Sequence, residues 1–285
     1  MTPASQAAFD RLKAQLEGFS ADQLNISTSA DAAVRVMKAV DNPDVSIDDL
    51  ARIVSAEPLL SAKIVRMANS AALNPSGRTI PDIRQAVMRV GIAPIRSLAM
   101  ALTLDQLRHS RRMTACRPLA NRLWERSVHV ASLAYVVARR LSALSADEAM
   151  LAGIVHDLGR FYLLGLAGEK HPELLQDLPS LMPALEALEQ DAVHRVLSAL
   201  GLPAHIVNAV IGRGSFGGMP PQCLSDVLFV ACWLAPPANP FEDVEARESL
   251  RAQESVVLGL DRQTILDFVS ASGEEIYSIA LALEA

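Results

Sequence analysis

Residues 153–161 read GIVHDLGRF and contain an adjacent histidine and aspartate, His156 and Asp157. An imidazole nitrogen and a carboxylate oxygen are both ordinary ligands of zinc, iron and manganese ions. A catalytic metal ion needs about three protein ligands and one open position. The pair is therefore a candidate for half of a metal site, and the other half must come from other elements of the fold.

Other patterns in the sequence offer weaker candidates for chemistry. The stretch GRGSFGG at residues 212–218 matches a dinucleotide-binding glycine pattern by letter, but no strand is predicted before it and Pro220 follows it closely. Asp147 and Glu148 stand in the predicted first turn of a helix, where negative charge complements the helix dipole. No GxSxG or HExxH occurs, so neither a serine hydrolase nor a zinc protease is indicated.

The composition indicates a folded protein with a large apolar core. The chain has 285 residues, of which 51% are hydrophobic, and a net charge of -6. Three widely spaced cysteines suggest neither disulfides nor a cysteine zinc site and fit a cytoplasmic protein. The amino terminus does not resemble a signal peptide, and the apolar runs are too short to span a bilayer. We therefore expect no membrane association.

The apolar residues follow a helical period along almost the whole chain, which predicts an all-α fold. Ser46 followed by Asp49, and Ser145 followed by Glu148, predict helix starts, and Glu57-Pro58 predicts a helix boundary. Helices are also predicted to begin at Pro94 and to run over 124–141, 183–200, 203–211 and 225–235. Leu158 is predicted to lie on the same helix as the stripe that ends at Val155. The helices form two lobes, which we place at 25–115 and 116–285 after an N-terminal helix at 1–24.

Four segments of the sequence resemble the HDOD family of bacterial signalling proteins. In order they are NPDVSIDDLARIVSAEPLLSAKIVRMANSA, IPDIRQAVMRVGIAPIRSLAM, LWERSVHVA and AGIVHDLGR, and the resemblance covers roughly residues 25–235. The HDOD domain is a catalytically degenerate relative of the HD metal-dependent phosphohydrolases. The resemblance implies a two-lobed helical fold and a regulatory role, often as an output module in two-component signalling.

The resemblance also implies where the metal ligands of an active HD enzyme would fall in this chain. The early histidine falls at Arg126, the His-Asp pair at His156 and Asp157, and the late aspartate at Cys232. A histidine pair that related sequences often carry would fall near Arg213 and Gly214. Two of the four metal-ligand positions are lost, so we expect a vestigial site with no catalytic residue, no metal and no cofactor.

Arginine stays protonated, so a guanidinium at position 126 would repel a divalent ion. We hypothesise that Arg126 replaces the charge of the metal and pairs with Asp157 across a helix interface. The alternative is that His129 and a Cys232 thiolate complete a metal site with unusual ligands. The sequence leaves open whether Ala152 and Gly153 clear a cavity beside the pair or permit close helix packing.

The resulting interpretation is a non-enzymatic regulatory module that binds a signalling protein or a small nucleotide ligand, with a homodimer as a general expectation. The alternative from the enzyme class is a metal-dependent phosphohydrolase acting on nucleotides or cyclic dinucleotides. Nucleic-acid binding is the weakest interpretation, because the net charge is negative and the arginines at 108–126 fit a solvated helix face.

Overall fold

A computed structural model describes residues 3–19, 30–42, 44–235 and 262–284. The described residues form helices and connecting loops and contain no strand, so the all-α fold is confirmed. The predicted boundary between residues 24 and 25, and residues 236–261 of the second predicted lobe, lie outside the described residues.

Thirteen α-helices run through the described residues. They are α1 Pro3–Glu17, α2 Ala30–Val40, α3 Ile47–Ser55, α4 Pro58–Ala68, α5 Ile83–Val90, α6 Ile92–His109, α7 Arg117–Leu141, α8 Ala146–Val155, α9 Leu158–Lys170, α10 Leu178–Ala199, α11 Ala204–Ile211, α12 Leu224–Leu234 and α13 Arg262–Glu284. Short 3-10 helices occupy Arg111–Cys116, Pro172–Gln176 and Gly212–Gly214.

Side chains cap the helices where the sequence predicts it. Ser46 accepts a hydrogen bond from the Asp49 N–H at 3.0 Å, and Ser145 accepts one from the Glu148 N–H at 3.3 Å. Each satisfies one of the N–H groups that a first helical turn leaves without a partner. Gly91 separates α5 from α6 with φ 81°, a backbone conformation that side chains other than glycine rarely adopt.

Four predicted helix boundaries were wrong. Helix α6 begins at Ile92 rather than at Pro94, because Gly91 already ends α5. Helix α7 begins at Arg117 rather than at Trp124, and a proline within its first turn fits that start. Leu158 lies in α9 and not in α8, because the chain turns at His156 and Asp157. Helix α10 also begins earlier than predicted, at Leu178.

The helices pack into two groups that share one continuous apolar core. In the first group α2, α4 and α5 pack against α6, and α3 packs on α2, α4 and α5. In the second group α8, α9 and α12 pack against α7, while α10 packs on α9 and α11 packs on α8 and α12. Helix α6 contacts both α7 and α8 and so joins the groups. The two ends of the described chain cross this division, since α1 packs on α10 and α13 packs on both α4 and α7. The His-Asp pair lies between α8 and α9, in the centre of the second group.

Candidate functional site

The His-Asp pair occupies the turn between α8 and α9 and is buried. His156 and Asp157 are each 1% exposed. His156 Nδ1 lies 2.7 Å from the Gly153 carbonyl oxygen, and since a carbonyl only accepts, this nitrogen carries the proton. In a continuing α-helix the Gly153 carbonyl would accept a hydrogen bond from the Asp157 N–H. Here it accepts one from the His156 ring instead. This hydrogen bond fixes the ring and directs Nε2 toward Asp157.

Arg126 projects from α7 into the same place. Its Nε atom lies 3.5 Å from Asp157 Oδ2, and His156 Nε2 lies 3.1 Å from the same oxygen. Arg126 is only 4% exposed. The structure therefore brings a guanidinium and an imidazole to one buried carboxylate oxygen, the atom that a metal ion would need as a ligand.

Gly153 allows α7 and α8 to approach closely at this point. A Cβ atom built on Gly153 would lie 2.6 Å from Ala131 Cα and 2.9 Å from Ala131 N, far closer than atoms in contact. The small residue before the His-Asp pair thus faces the backbone of α7. It serves close helix packing, which answers the question that the sequence left open at Gly153.

Two further arginines and one glutamate complete the charge cluster. Arg160 NH1 lies 3.3 Å from Asp157 Oδ1, and Arg160 NH2 lies 2.8 Å from Glu189 Oε2. Arg213 pairs with Glu189 through Oε1 and lies 4.0 Å from Asp157 Oδ1. We define the charge cluster as the side chains of these residues together with the four predicted ones: Arg126, His156, Asp157, Arg160, Glu189, Arg213 and Cys232.

Cys232 reaches the cluster from α12 and interacts electrostatically with His156. Burial alone would raise the pKa of the Cys232 thiol, but the neighbouring His156 and Arg126 charges lower it below its ordinary value. Burial alone would lower the pKa of His156, whereas Asp157 and Cys232 raise it to about 9. His156 is therefore an imidazolium near neutral pH, with both ring nitrogens protonated.

The same charges act on Asp157. Burial opposes ionisation of its carboxyl group, but His156, Arg160 and Arg126 hold its pKa well below the usual range. The carboxylate is thus negative near neutral pH and faces cations from α7, from α9 and from the turn between α8 and α9. Such pairing is what a buried charge requires if it is not to destabilise the fold.

The residues present do not fit a divalent metal ion. Near Asp157, the described residues contain three guanidinium groups and a protonated imidazole, all of which repel a cation. A metal ion at His156 Nε2 would have to displace a proton from this nitrogen as well as the neighbouring guanidinium groups. No group of three or more His, Cys, Asp or Glu side chains within the described ranges is arranged to bind one. His129 lies outside the cluster, with Nδ1 against the Glu125 carbonyl oxygen at 2.8 Å.

The sequence did not single out Arg160 or Glu189 as members of this site. The sequence does contain a signal for Glu189. It stands among apolar residues of α10 that face the protein core: Leu185, Leu188, Ala192 and Val193. A charged residue inside an apolar stripe needs a buried partner. Arg160 follows Asp157 by three residues, the spacing of side chains that meet on a helix.

Two other sequence features have structural roles outside the cluster. The glycines of residues 212–218 form a 3-10 turn and a loop, and Gly217 N donates to Asp226 at 2.9 Å. Several arginines between 108 and 126 pair within the protein. Arg108 pairs with Asp105, and Arg112 Nε lies 2.7 Å from Glu169.

One stretch, Ala146–Lys170, is long and apolar enough to cross a bilayer by length and composition, and it comprises α8 and α9. Its most apolar window is 94% buried inside the protein. Its apolar character is explained by its central position in the second group of helices.

Comparison with solved structures finds the same fold. A proposed metal-dependent phosphohydrolase from Shewanella amazonensis SB2B has a TM-score of 0.75 and 23% sequence identity, with 99% of each chain covered. An HDOD domain protein with unknown function from Geobacter sulfurreducens has a TM-score of 0.61 and 19% identity, with 98% of each chain covered. Identities this low establish the fold alone.

Comparison with curated sequences finds a relative in Treponema pallidum (strain Nichols), an uncharacterized protein that is 24% identical over 191 residues. The match covers 62% of this chain and 35% of that relative, so the chain spans about a third of the relative's length. The HDOD domain matches residues 26–205, which is more than half of the chain. These residues include the His-Asp pair and most of the charge cluster. The chain belongs to the HDOD domain family.

Proposed function

We propose that this chain is a non-enzymatic regulatory module, which acts in bacterial signal transduction by binding a partner protein or a small nucleotide ligand. The observation that carries the proposal is the position of Arg126, whose guanidinium lies 3.5 Å from Asp157 Oδ2 in the place where a metal ion would sit. The cluster has its own cations and needs no metal to balance Asp157.

The chemistry of the cluster supports this choice. Phosphodiester hydrolysis by a metal enzyme requires a metal-bound water as the nucleophile. Here a metal would have to displace one arginine from Asp157 and a proton from His156. Two donors of the usual HD set, at positions 126 and 232, are an arginine and a cysteine. Each of these changes weakens metal binding, and they act together.

The rival function is a metal-dependent phosphohydrolase that cleaves nucleotides or cyclic dinucleotides with unusual ligands. The name of the Shewanella amazonensis structure suggests such an activity for that protein. For this chain it would require Cys232 to bind metal as a thiolate. The lowered pKa of Cys232 is the one observation in favour of this rival.

Metal content and cleavage separate the two functions. The full chain is purified without chelator, incubated with manganese, iron or zinc, and freed of unbound ions. We expect much less than one metal ion per chain, and no cleavage of bis(p-nitrophenyl) phosphate or cyclic di-GMP. Near-stoichiometric metal and cleavage that His156→Ala abolishes would establish the rival instead. Cleavage unaffected by His156→Ala would come from a contaminant and leaves the proposal standing.

The proposed setting is the cytoplasm, alongside the receptors and receivers of two-component systems. The free cysteines Cys116, Cys223 and Cys232 fit a reducing compartment. The proposal includes a homodimer, because two-fold symmetric dimers are the commonest oligomers of soluble proteins. Size-exclusion chromatography with light scattering measures it directly.

A further inference from the structure

The loop between α4 and α5 and the exposed face of α5 border two depressions in the surface of the first helix group. One has a volume of about 610 Å³ and is lined by Ser76, Arg78, Thr79, Gln85, Met88 and Arg89, among others. The second, of about 710 Å³, is lined by Ala62, Val65, Arg66 and Ile83, among others. Pro81 lines both, so the depressions are neighbours. We call the two together the Arg78 groove.

The first depression is positive and has no acidic residue in its lining. The Arg78 side chain makes no hydrogen bond or ion pair with any part of the chain that the structure describes. Arg89 donates to the Leu73 carbonyl oxygen at 2.9 Å and has no carboxylate partner among the described residues. In a protein with a net charge of -6, two arginines without acidic partners on one concave surface form a local site for negative charge.

The loop that carries Arg78 is held in place by two asparagines. Asn69 Oδ1 accepts from the Ile80 N–H at 2.8 Å, and Asn69 Nδ2 donates to the Ile80 carbonyl at 2.8 Å. Asn74 Nδ2 donates to the Arg78 carbonyl at 2.9 Å. The groove is therefore ordered before any ligand arrives, which lowers the entropic cost of binding.

Residues 78–82 line the groove between these contacts. They are in neither helix nor turn. The backbone N–H and carbonyl of Thr79 take part in no hydrogen bond within the described residues, and Thr79 is exposed. Exposed and unused backbone groups can form hydrogen bonds with an extended peptide.

Apolar surface lies beside the positive charge. Met88 is 58% exposed and lines the first depression, while Ala62, Val65 and Ile83 line the second. Asp82 also lines the second depression, but its side chain caps α5 by accepting from the Gln85 N–H at 2.9 Å. The groove thus combines cations, free backbone groups and apolar contacts.

We propose that the Arg78 groove binds an acidic linear peptide of a partner protein, in extended conformation, with its carboxylates at Arg78 and Arg89 and an apolar side chain against Met88. This inference rests on the proposed function for the view that the chain acts by binding a partner, and it names the surface and the chemistry of that partner. Charge complementarity and the free backbone of Thr79 favour a peptide over a compact anion.

The test is a fluorescence anisotropy titration of the full chain with a short fluorescein-labelled peptide in which glutamate alternates with leucine. We expect saturable binding that weakens as salt is added, because exposed charges are screened over about 10 Å at 0.1 M salt. The same peptide with lysine in place of glutamate should not bind. Arg78→Glu should weaken binding at least about tenfold, which corresponds to the loss of one charged hydrogen bond.

Two variants guard this result against indirect effects. Arg78→Lys keeps the positive charge, and its affinity for the peptide should be within about threefold of that of the unchanged protein. The reason is that the attraction between two exposed charges depends little on the exact geometry of the pair. Arg195→Glu makes the same change of charge on α10, where Arg195 pairs with Asp191, and should leave binding unchanged. Thermal unfolding followed by circular dichroism checks that each variant is folded.

Three outcomes would overturn the inference. They are no binding of the glutamate peptide, equal loss of binding in Arg78→Glu and Arg195→Glu, and displacement of the peptide by inorganic phosphate at the same concentration, which would assign the groove to small anions. Metal-dependent phosphodiester cleavage would overturn the proposed function but would not alter this titration. The two proposals therefore fail in different experiments.

Discussion

Arg126 shows how one residue can take over the electrostatic task of a metal ion. A buried carboxylate needs a positive partner, and in this chain the partner is a guanidinium 3.5 Å away from Asp157 Oδ2. An arginine does not release its proton and cannot activate a water molecule as a metal ion does. Arg126 in place of a metal ion therefore supplies positive charge but no catalytic group. The consequence at this scale is that Arg126 contributes to stability.

Replacing Arg126 by alanine should lower the free energy of unfolding by about 3 kcal/mol, because the change removes one partner of a buried ion pair. Urea denaturation followed by circular dichroism measures this loss. Arg122→Ala, at an exposed position of the same helix, is the matched control and should change stability by less than about 0.5 kcal/mol. An equally small effect of Arg126→Ala would mean that Asp157 does not depend on Arg126.

The sequence predicted four members of the charge cluster and missed others for a definite reason. Arg126, His156, Asp157 and Cys232 were found because each occupies a family motif at a known distance along the chain. Glu189 stands in no motif, and its partners Arg160 and Arg213 come from α9 and from the turn after α11. Such a contact depends on how helices cross in space, which the helical period of a sequence does not specify.

At the scale of the helices, Gly153 sets the distance between α7 and α8. Gly153→Ala should lower the free energy of unfolding by about 2–3 kcal/mol, even though alanine favours a helix over glycine by about 1 kcal/mol. The reason is that the new methyl group meets the backbone of Ala131, which cannot rotate away. Urea denaturation measures the change.

Gly273 in α13 is the matched control for this substitution. A Cβ atom there would meet nothing within 4 Å, so Gly273→Ala should leave stability unchanged or raise it by up to about 1 kcal/mol. If Gly153→Ala were as well tolerated as Gly273→Ala, close helix packing would not be the reason for a glycine at 153.

Asn69 links the end of α4 to the loop that precedes α5. Its amide makes hydrogen bonds to the Val65 carbonyl at 2.8 Å and to both backbone groups of Ile80. Asn69→Ala should cost about 2–3 kcal/mol of unfolding free energy, since three hydrogen bonds are lost together. Asn42→Ala, which removes one exposed hydrogen bond to Asp44 N, should cost under about 1 kcal/mol in the same urea titration. Equal costs would show that Asn69 does not fix the loop.

Local signals predicted the helices better than their exact ends. The capping serines, Ser46 and Ser145, mark helix starts because their side chains bond to nearby N–H groups, an effect that lies within four residues. The break between α8 and α9 was missed because the apolar stripe continues through Leu158. The His156 side chain makes this break by bonding to the Gly153 carbonyl, which a hydrophobic pattern does not reveal.

At the scale of the whole molecule, α13 joins the two groups of helices. Glu275 pairs with Arg139 at 2.9 Å and with Arg140 at 2.7 Å on α7. The C-terminal end of α13 contacts α4, where Lys63 Nζ donates a hydrogen bond to the Leu283 carbonyl at 2.6 Å. The last turn of a helix carries carbonyl groups without helical partners, and a lysine is well suited to bond them.

Lys63 is unusual because it is only 1% exposed. Burial lowers its pKa from 10.5 to about 8, although Asp105 and Glu284 act in the opposite direction. Between pH 8 and 10.5 the native protein therefore binds fewer protons at this residue than the unfolded chain does. In that window the contribution of Lys63 to stability must rise with pH, and below pH 8 the charged amine carries its full desolvation cost.

The measured quantity is the difference in free energy of unfolding, unchanged protein minus Lys63→Met. This difference should increase by about 2 kcal/mol from pH 7 to pH 9.5. Methionine has a similar length and no charge, so the groups that titrate elsewhere largely cancel in the difference. Urea denaturation at several pH values measures it. Lys38→Met makes the same change of charge at an exposed position on α2 and is the matched control. A flat profile for Lys63→Met would show that its amine keeps an ordinary pKa, and that the end of α13 does not enclose it.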